Sequence, residues 1–199
     1  MKSVPRYIVL IILFLRIIGC SREEKKTIAV NGELESITLK SLDGKTFSVH
    51  ELVAGHHSSV FYFLMPGCPM CESYSLSINK LDKKFSGQGI SFFGIFASEY
   101  YSDEEINAYR NNFKIGIPFY RDVDSRLAHT LGASVTPEVF VLDSTATVLY
   151  KGSIDNLAYA TGKTRMEATE FFLNDALENI VSGKPLAVKE TVAYGCIIE

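Results

Sequence analysis

The chain has 199 residues, of which 47% are hydrophobic, and its formal net charge is −3. This length is typical of one globular domain with additions. The balance is slightly acidic and no basic cluster is present, so we expect no nucleic-acid partner.

The first twenty residues have the pattern of an export signal. Lys2 and Arg6 are basic, and residues 7–15 form an apolar run that is too short to span a membrane but typical of a signal-peptide core. The following residues 17–20, Ile-Ile-Gly-Cys, resemble the lipobox of bacterial lipoproteins, in which the cysteine is lipidated and becomes the new N-terminus. The alternative is an uncleaved anchor in which Cys20 is a buried thiol.

This segment predicts where the protein works. We expect residues 1–19 to be a lipoprotein signal peptide, Cys20 to carry the lipid that anchors the protein to a membrane, and residues 20–33 to be a tether. Removal of three basic residues, Lys2, Arg6 and Arg16, takes the formal charge from −3 to −6. The expected location is the bacterial cell envelope, facing the periplasm or the exterior, where disulfides persist.

The rest of the chain alternates between strand and helix patterns. Residues 34–39 and 46–49, around the turn signal Asp43-Gly44, predict an N-terminal hairpin. Hydrophobic periodicity and capping signals predict further strands and helices. The predicted strands are residues 59–65, 90–96, 117–121, 138–142 and 147–150. The predicted helices are residues 68–85, 103–113, 125–131 and 165–181.

A C-x-x-C motif, Cys68-Pro69-Met70-Cys71, stands between the predicted strand 59–65 and the helix that follows it. At a helix N-terminus, unpaired backbone N–H groups and the helix dipole stabilise a thiolate, which is the form that attacks disulfides. We therefore expect Cys68 to be the nucleophile, more exposed and lower in pKa, and Cys71 to be the buried resolving thiol. The alternatives are a structural disulfide or half of a zinc site.

The motif and the pair Thr136-Pro137 at the head of a strand together resemble the thioredoxin-like superfamily, and more closely its redoxin branch, the alkyl hydroperoxide reductase/thiol-specific antioxidant family with its membrane-tethered members. The resemblance implies an α/β, thioredoxin-like fold: a central mixed sheet flanked by helices, with an N-terminal hairpin and a C-terminal extension. It also implies a cis Pro137 beside the dithiol, where the preceding backbone pairs with the substrate chain. The expected domain covers residues 34–183, and residues 184–199 form a tail.

Three departures from the family patterns bear on the chemistry. The chain contains no tryptophan, although one commonly precedes the redox loop. Tyr62 occupies the position of the buried acid of thioredoxins, so either another base serves or the helix terminus alone promotes deprotonation. Phe61 and Met65 occupy the positions of the proline and threonine in the peroxidase pattern P-x-x-x-T-x-x-C, which argues against direct peroxidase activity.

The C-terminal tail carries a third cysteine, Cys196, in a segment that resembles the tail of a redoxin subgroup. Cys196 could resolve a mixed disulfide, bridge to Cys68 or help to hold a metal. The alternative is an unpaired thiol in a poorly ordered tail, because the last residues of domains are usually mobile.

The leading hypothesis is a thiol–disulfide oxidoreductase that uses Cys68 and Cys71, with Thr136 and Pro137, to reduce or exchange disulfides of extracytoplasmic proteins. Its expected partners are protein disulfides or dithiols and a membrane or periplasmic electron donor, and no cofactor or resident metal is expected. One alternative is a thiol peroxidase of the redoxin family. Another is a Cu(I)-handling module, because Cu(I) favours sulfur ligands.

Overall fold

The computed structural model describes residue 34 and residues 36–198. Strands and helices alternate along most of this length. The helices are α1 (Val49–Val53), α2 (Pro69–Phe85), α3 (Asp103–Phe113), α4 (Arg126–Leu131) and α5 (Phe172–Val181). The strands are β1 (Thr38–Ser41), β2 (Thr46–Ser48), β3 (Ser58–Phe63), β4 (Ile90–Phe96), β5 (Phe119–Arg121), β6 (Val135–Thr136), β7 (Glu138–Asp143), β8 (Val148–Gly152), β9 (Ala158–Ala160), β10 (Lys163–Thr164) and β11 (Cys196–Ile197).

Seven strands form one mixed sheet in the order β2-β1-β5-β4-β3-β7-β8. Strands β3, β4 and β5 run parallel, whereas β7 pairs antiparallel with both β3 and β8. Strand β3 lies inside the sheet between β4 and β7, and all six of its residues are buried, which is consistent with the run of apolar and aromatic residues from Val60 to Phe63. This mixed sheet with helices around it confirms the predicted fold class.

Alternate residues of β3 point into two apolar clusters on opposite faces of the sheet. Val60 and Tyr62 belong to the cluster that contains the buried side of α2. Phe61 and Phe63 belong to the cluster that contains α1 and the buried residues of α4. Full burial of such side chains contributes about 1.5–3 kcal/mol each, so both faces fix the position at which β3 ends and the redox loop begins.

The predicted hairpin and the capping signals are confirmed. Strands β1 and β2 pair antiparallel, with Leu39 opposite Phe47. The Ser102 side chain accepts a hydrogen bond from the backbone N–H of Glu105, and the Glu105 side chain accepts one from the backbone N–H of Ser102. This capping box begins α3. The first predicted strand, residues 34–39, begins four residues too early, because β1 covers Thr38–Ser41. Several other predicted boundaries were wrong by one to two residues, and α1, which Ser48 caps in the same way, was missed.

The last helix is shorter than predicted. The expected helix over residues 165–181 begins only at Phe172, and the segment before it runs in a non-helical path. The side chain of Asn156 explains the difference, because its Oδ1 accepts the backbone N–H groups of Thr169 and Glu170, at 2.8 and 3.2 Å. Those N–H groups are therefore satisfied without a helix. The apolar periodicity of residues 172–181 is correct, and Leu173, Ala176 and Leu177 are buried.

No helix within residues 34 and 36–198 is long and apolar enough to cross a membrane. The predicted signal peptide, tether and lipidated Cys20 lie outside the described residues.

Candidate active site: three cysteines around a cis proline

Cys68 lies at the N-cap of α2, directly after β3 and its loop. Pro69 occupies the first helical position, where its missing N–H costs no hydrogen bond. The Cys68 side chain makes no capping hydrogen bond. The first backbone N–H groups of this 17-residue helix are therefore not capped by the Cys68 side chain. The partial positive charge of the helix N-terminus stabilises a thiolate here.

Cys71 lies one turn into α2 and is a free, fully buried thiol. Burial raises its pKa to about 12, because the thiolate would lose its hydration, while hydrogen bonding from the Thr136 side chain acts in the opposite direction. The Tyr109 hydroxyl donates to the Cys71 carbonyl oxygen at 3.2 Å and ties this turn of α2 to α3. The expected burial of Cys71 is confirmed, and its role as the resolving thiol stays a prediction.

The Thr136–Pro137 peptide bond is cis, as predicted. The carbonyl oxygen of Thr136 lies 3.4 Å from Cys68 Sγ, and Thr136 itself is buried. In the dithiol form the Cys68 thiol can donate to this oxygen. Glu138 fixes the approach to the proline, since its Oε2 accepts the backbone N–H groups of Ser134 and Val135.

Cys68 forms a disulfide with Cys196, 128 residues away in the sequence, with a Cα–Cα distance of 6.3 Å. The bonded pair is therefore not the C-x-x-C pair, and Cys71 is the cysteine of the motif that is left unpaired. Of the alternatives left open for Cys196, the structure contains the bridge to Cys68. The expected exposure of Cys68 was wrong: only 1% of it is accessible, because the tail lies over it.

The tail reaches this site through two segments. Residues 189–191, the anchor segment, run beside β8: the Lys151 N–H donates to the Lys189 carbonyl at 3.0 Å and the Thr191 N–H donates to the Lys151 carbonyl at 3.1 Å. Residues 195–198, the redox segment, pair with β6, with Cys196 opposite Thr136 and Ile197 opposite Val135. The tail is therefore docked, which the position of these residues near the chain end did not predict.

Sequence analysis did not identify two tail residues that contact the site, Thr191 and Gly195. Thr191 Oγ1 accepts the Ser153 N–H at 2.9 Å and lies 2.7 Å from the buried Tyr150 hydroxyl, which donates to the Ser153 carbonyl. Gly195 is buried directly against Thr136 and Pro137. The glycine directly before Cys196 was a sequence signal for the contact of Gly195 with Thr136 and Pro137. No sequence signal indicated the role of Thr191.

Tyr62 occupies the position of the superfamily's buried acid. Its ring is fully buried, its hydroxyl has no hydrogen-bond partner among the described residues, and burial raises its pKa well above the usual value. An uncharged phenol therefore stands where a proton-accepting carboxylate would be. Deprotonation of Cys71 cannot rely on this residue near neutral pH.

Within the described residues, no group of three or more His, Cys, Asp and Glu side chains could hold a metal ion. His56 and His57 are exposed and lie directly before β3, at the end of the strand away from Cys68. His57 Nε2 lies 3.3 Å from the Ile180 carbonyl oxygen, a contact to α5 and not to the cysteines.

The sequence matches the Redoxin family model over residues 29–161, which is most of the chain. The protein therefore belongs to the redoxin family, and the predicted resemblance is confirmed. Membership supports a redox function in general. The match ends before the tail, so the family model does not include Cys196.

Solved structures share the fold at low sequence identity. A hypothetical protein of Sinorhizobium meliloti has a TM-score of 0.71 at 22% identity, with 81% of this chain and 89% of that chain covered. A secreted disulfide oxidoreductase of Mycobacterium tuberculosis has a TM-score of 0.52 at 16% identity, with 76% and 98% covered. A thioredoxin-like protein of Aeropyrum pernix has a TM-score of 0.54 at 17% identity, with 77% and 92% covered. No functionally curated protein matches the sequence. These neighbours establish a thioredoxin-like fold.

Proposed function

We propose that the protein is a thiol–disulfide oxidoreductase that exchanges disulfides of extracytoplasmic proteins through Cys68. One observation carries the proposal: Cys68, at the N-terminus of α2, is bonded to one cysteine while a second thiol, Cys71, lies one turn behind it. A sulfur with two alternative partners is the arrangement that exchange chemistry needs. The M. tuberculosis neighbour described as a secreted disulfide oxidoreductase has the same fold.

In the reducing direction, the Cys68 thiolate attacks one sulfur of a substrate disulfide. A Cys68–substrate disulfide forms, and the other substrate sulfur leaves as a thiolate. Cys71 then loses its proton to solvent and attacks Cys68 Sγ, which expels the second substrate thiolate and leaves a Cys68–Cys71 disulfide. The substrate gains two electrons and the protein loses two, and a dithiol electron donor restores the protein.

Cys196 adds a redox-neutral step to this scheme. Attack of the Cys71 thiolate on Cys68 Sγ breaks the Cys68–Cys196 bond, forms Cys68–Cys71 and releases the Cys196 thiolate, which takes up a proton. The number of disulfides stays constant. Cys68 thus stays oxidised in a disulfide with the tail, and the buried Cys71 thiol can break that disulfide by exchange.

The proposed location is the bacterial cell envelope, with Cys20 lipidated and the domain facing the periplasm or the exterior. The lipobox-like sequence and the export pattern before it support this proposal. Metabolic labelling with a fatty-acid analogue tests it, with Cys20→Ala as the control. An unlabelled wild-type protein would overturn the lipidation proposal and leave the exchange chemistry untouched.

Reduction of insulin disulfides by a dithiol donor tests the exchange function. We expect Cys68→Ser to abolish activity and Cys71→Ser to accumulate a mixed disulfide that non-reducing electrophoresis detects. Gly87→Ala is the control, because the added methyl group meets no atom within 4 Å. Undiminished activity in Cys68→Ser would refute the proposal.

A thiol peroxidase is the second candidate, because condensation of an oxidised Cys68 with a distant cysteine would give the observed Cys68–Cys196 bond. Cys68 would reduce a peroxide to an alcohol and become a sulfenic acid, and Cys196 would displace water from it. Peroxide consumption that is lost in Cys196→Ser, while insulin reduction is retained, would favour this candidate. The Cu(I) alternative gains no support, since two of the three sulfurs are joined in a disulfide.

A further inference from the structure

The redox segment occupies the strand position beside the cis proline. Cys196 pairs with Thr136 in the antiparallel β6–β11 ladder, and the Ile198 N–H donates to the Ser134 carbonyl at 3.0 Å. The Thr136 hydroxyl also donates to the Cys196 carbonyl at 3.4 Å. The segment is thus an extended peptide whose cysteine is covalently bound to Cys68, which is the form of a mixed disulfide with a substrate chain.

The residue before this cysteine lies against main-chain atoms that cannot move aside. A Cβ atom at Gly195 would overlap the Thr136 carbonyl oxygen and lie 2.5 Å from the Thr136 carbonyl carbon and 3.2 Å from Pro137 N. These atoms belong to the cis peptide unit that borders Cys68, not to a flexible side chain. Gly195 has no positive φ, so glycine is required here for space and not for backbone conformation.

The flanking positions are less restrictive. Ile197 projects outward and is 72% exposed, so the side chain after the cysteine makes little contact. Tyr194 packs at the edge of the cluster that contains Cys68, and Ile198 packs at the edge of the cluster on the opposite face. In this strand pairing, side-chain size is therefore most restricted at the position directly before the cysteine.

We propose that the edge of β6 that the redox segment covers is a peptide site, that it prefers a cysteine in an extended segment with a glycine directly before it, and that the redox segment is its resident occupant. The inference rests on the proposed exchange function and adds its substrate class: protein segments that contain Gly-Cys. The tail and a substrate compete for the same edge, so a substrate enters after the Cys68–Cys196 bond opens.

Two peptides with one methyl group of difference test the glycine requirement. The full chain carrying Gly195→Ala and Cys196→Ser is used, because the methyl group added at position 195 excludes the tail from the edge while Cys68 remains. Reduced protein is mixed with Ala-Tyr-Gly-Cys-Ile-Ile or Ala-Tyr-Ala-Cys-Ile-Ile, each with its cysteine as a nitrothiobenzoate disulfide. Cys68 attacks the peptide sulfur and releases the coloured nitrothiobenzoate anion, so absorbance follows the rate.

We expect the glycine peptide to react at least about tenfold faster, which corresponds to about 1.4 kcal/mol. Both peptides are tested on the same protein, so the folding of the variant cancels in the ratio. Equal rates would overturn the inference. Dithiobis(nitrobenzoate), which has no peptide chain, separates the two proposals. If Cys68 reacts with this reagent but shows no preference between the peptides, the exchange function stands and the glycine preference is refuted. If Cys68 reacts with none of the three compounds, both proposals are refuted.

The single variant Gly195→Ala tests the resident occupant in the intact tail. Oxidised protein is digested and its disulfides are mapped by mass spectrometry. We expect the ratio of Cys68–Cys196 to Cys68–Cys71 to fall at least about tenfold, while Gly87→Ala, the same change in open space, keeps the wild-type ratio. An unchanged ratio in Gly195→Ala would overturn the role of the glycine contact.

Discussion

The anchor segment and the redox segment belong to the same tail, but different kinds of interaction hold them. The anchor segment is fixed by hydrogen bonds to β8 and by the network of Thr191 with Tyr150 and Ser153, all of which are independent of redox state. The redox segment is fixed by a short ladder and by one covalent bond to Cys68. Reduction therefore removes the main restraint on one segment and leaves the other in place.

This difference turns the tail into a tethered partner of the active site. Cys196 is the fifth residue after Thr191, so a released Cys196 stays within about 18 Å of the anchor, at the maximum reach of an extended chain. A tethered thiol has a high effective concentration, so it returns to Cys68 readily. The following predictions test this division of roles.

Loss of the covalent bond should have the largest effect on stability. In Cys196→Ser the oxidised protein cannot close the loop of 128 residues between Cys68 and Cys196. We expect the free energy of unfolding of the oxidised form to fall by about 2–5 kcal/mol, because the unfolded chain gains conformational freedom. Denaturant unfolding measures it, and the reduced wild-type and variant proteins should agree. A difference of the same size under reducing conditions would contradict this account.

Gly152→Ala should release the anchor segment. Its φ is +127°, and an added Cβ would overlap the Thr191 carbonyl oxygen and lie 2.5 Å from Thr191 Oγ1. We expect a loss of about 2–4 kcal/mol in the free energy of unfolding, in oxidised and reduced protein alike, from strain and overpacking together.

Gly44→Ala is the matched control for that variant, because it has a φ of +87° but open space around its Cβ position. It should lose only about 1–2 kcal/mol. Equal losses at the two positions would show that backbone conformation, and not contact with Thr191, explains the effect.

Thr191→Val should weaken the anchor segment more mildly. The substitution keeps the shape but removes the acceptor of the Ser153 N–H and a partner of the Tyr150 hydroxyl. We expect a loss of about 2 kcal/mol from the unpaired buried N–H group, measured by denaturant unfolding. Thr46→Val, on the exposed strand β2, should change stability by less than about 0.5 kcal/mol. An unchanged free energy of unfolding in Thr191→Val would show that these hydrogen bonds of Thr191 do not stabilise the anchor segment.

The pH dependence of release should follow Cys71. In Cys196→Ser, a peptide is first bound to Cys68 as a mixed disulfide, and its release by Cys71 is then timed. Because burial raises the pKa of Cys71 from 9.0 to about 12, we expect the rate to rise tenfold per pH unit, about 1.4 kcal/mol, from about pH 6.5 to about pH 9.5. A plateau near the ordinary cysteine pKa would contradict the burial argument, and Cys71→Ser should show no release.

The same shift has a consequence for stability. A folded pKa above the unfolded value means that the folded protein holds the proton more tightly. The stability that the protonated Cys71 contributes is therefore complete below about pH 9 and is lost as the pH rises toward about 12. The anchor segment should not respond over this range by that route, since the Cys71 proton is not part of its contacts.

Local patterns predicted much of this molecule. The apolar run of β4 and the capping box at Ser102 gave correct elements, because side-chain burial and caps act over a few residues. The pattern Cys68-Pro69 placed the cysteine at a helix N-terminus for the same reason. The predicted helix over residues 165–181 was wrong at its start, because the side chain of Asn156, which is 13 residues before Thr169, accepts backbone N–H groups that a helix would have used.

The sequence by itself determined the thioredoxin-like fold, the position of Cys68 and Cys71 on α2 and the cis Pro137 beside them, since each depends on local patterns or on motifs that the family shares. Only the tertiary structure decided which cysteines pair. That choice depends on the anchor segment docking on β8 and on the space that Gly195 leaves beside Thr136, and both contacts join residues that are distant in the chain. A spacing of two residues made Cys71 the expected partner, but the folded tail delivers Cys196 to Cys68.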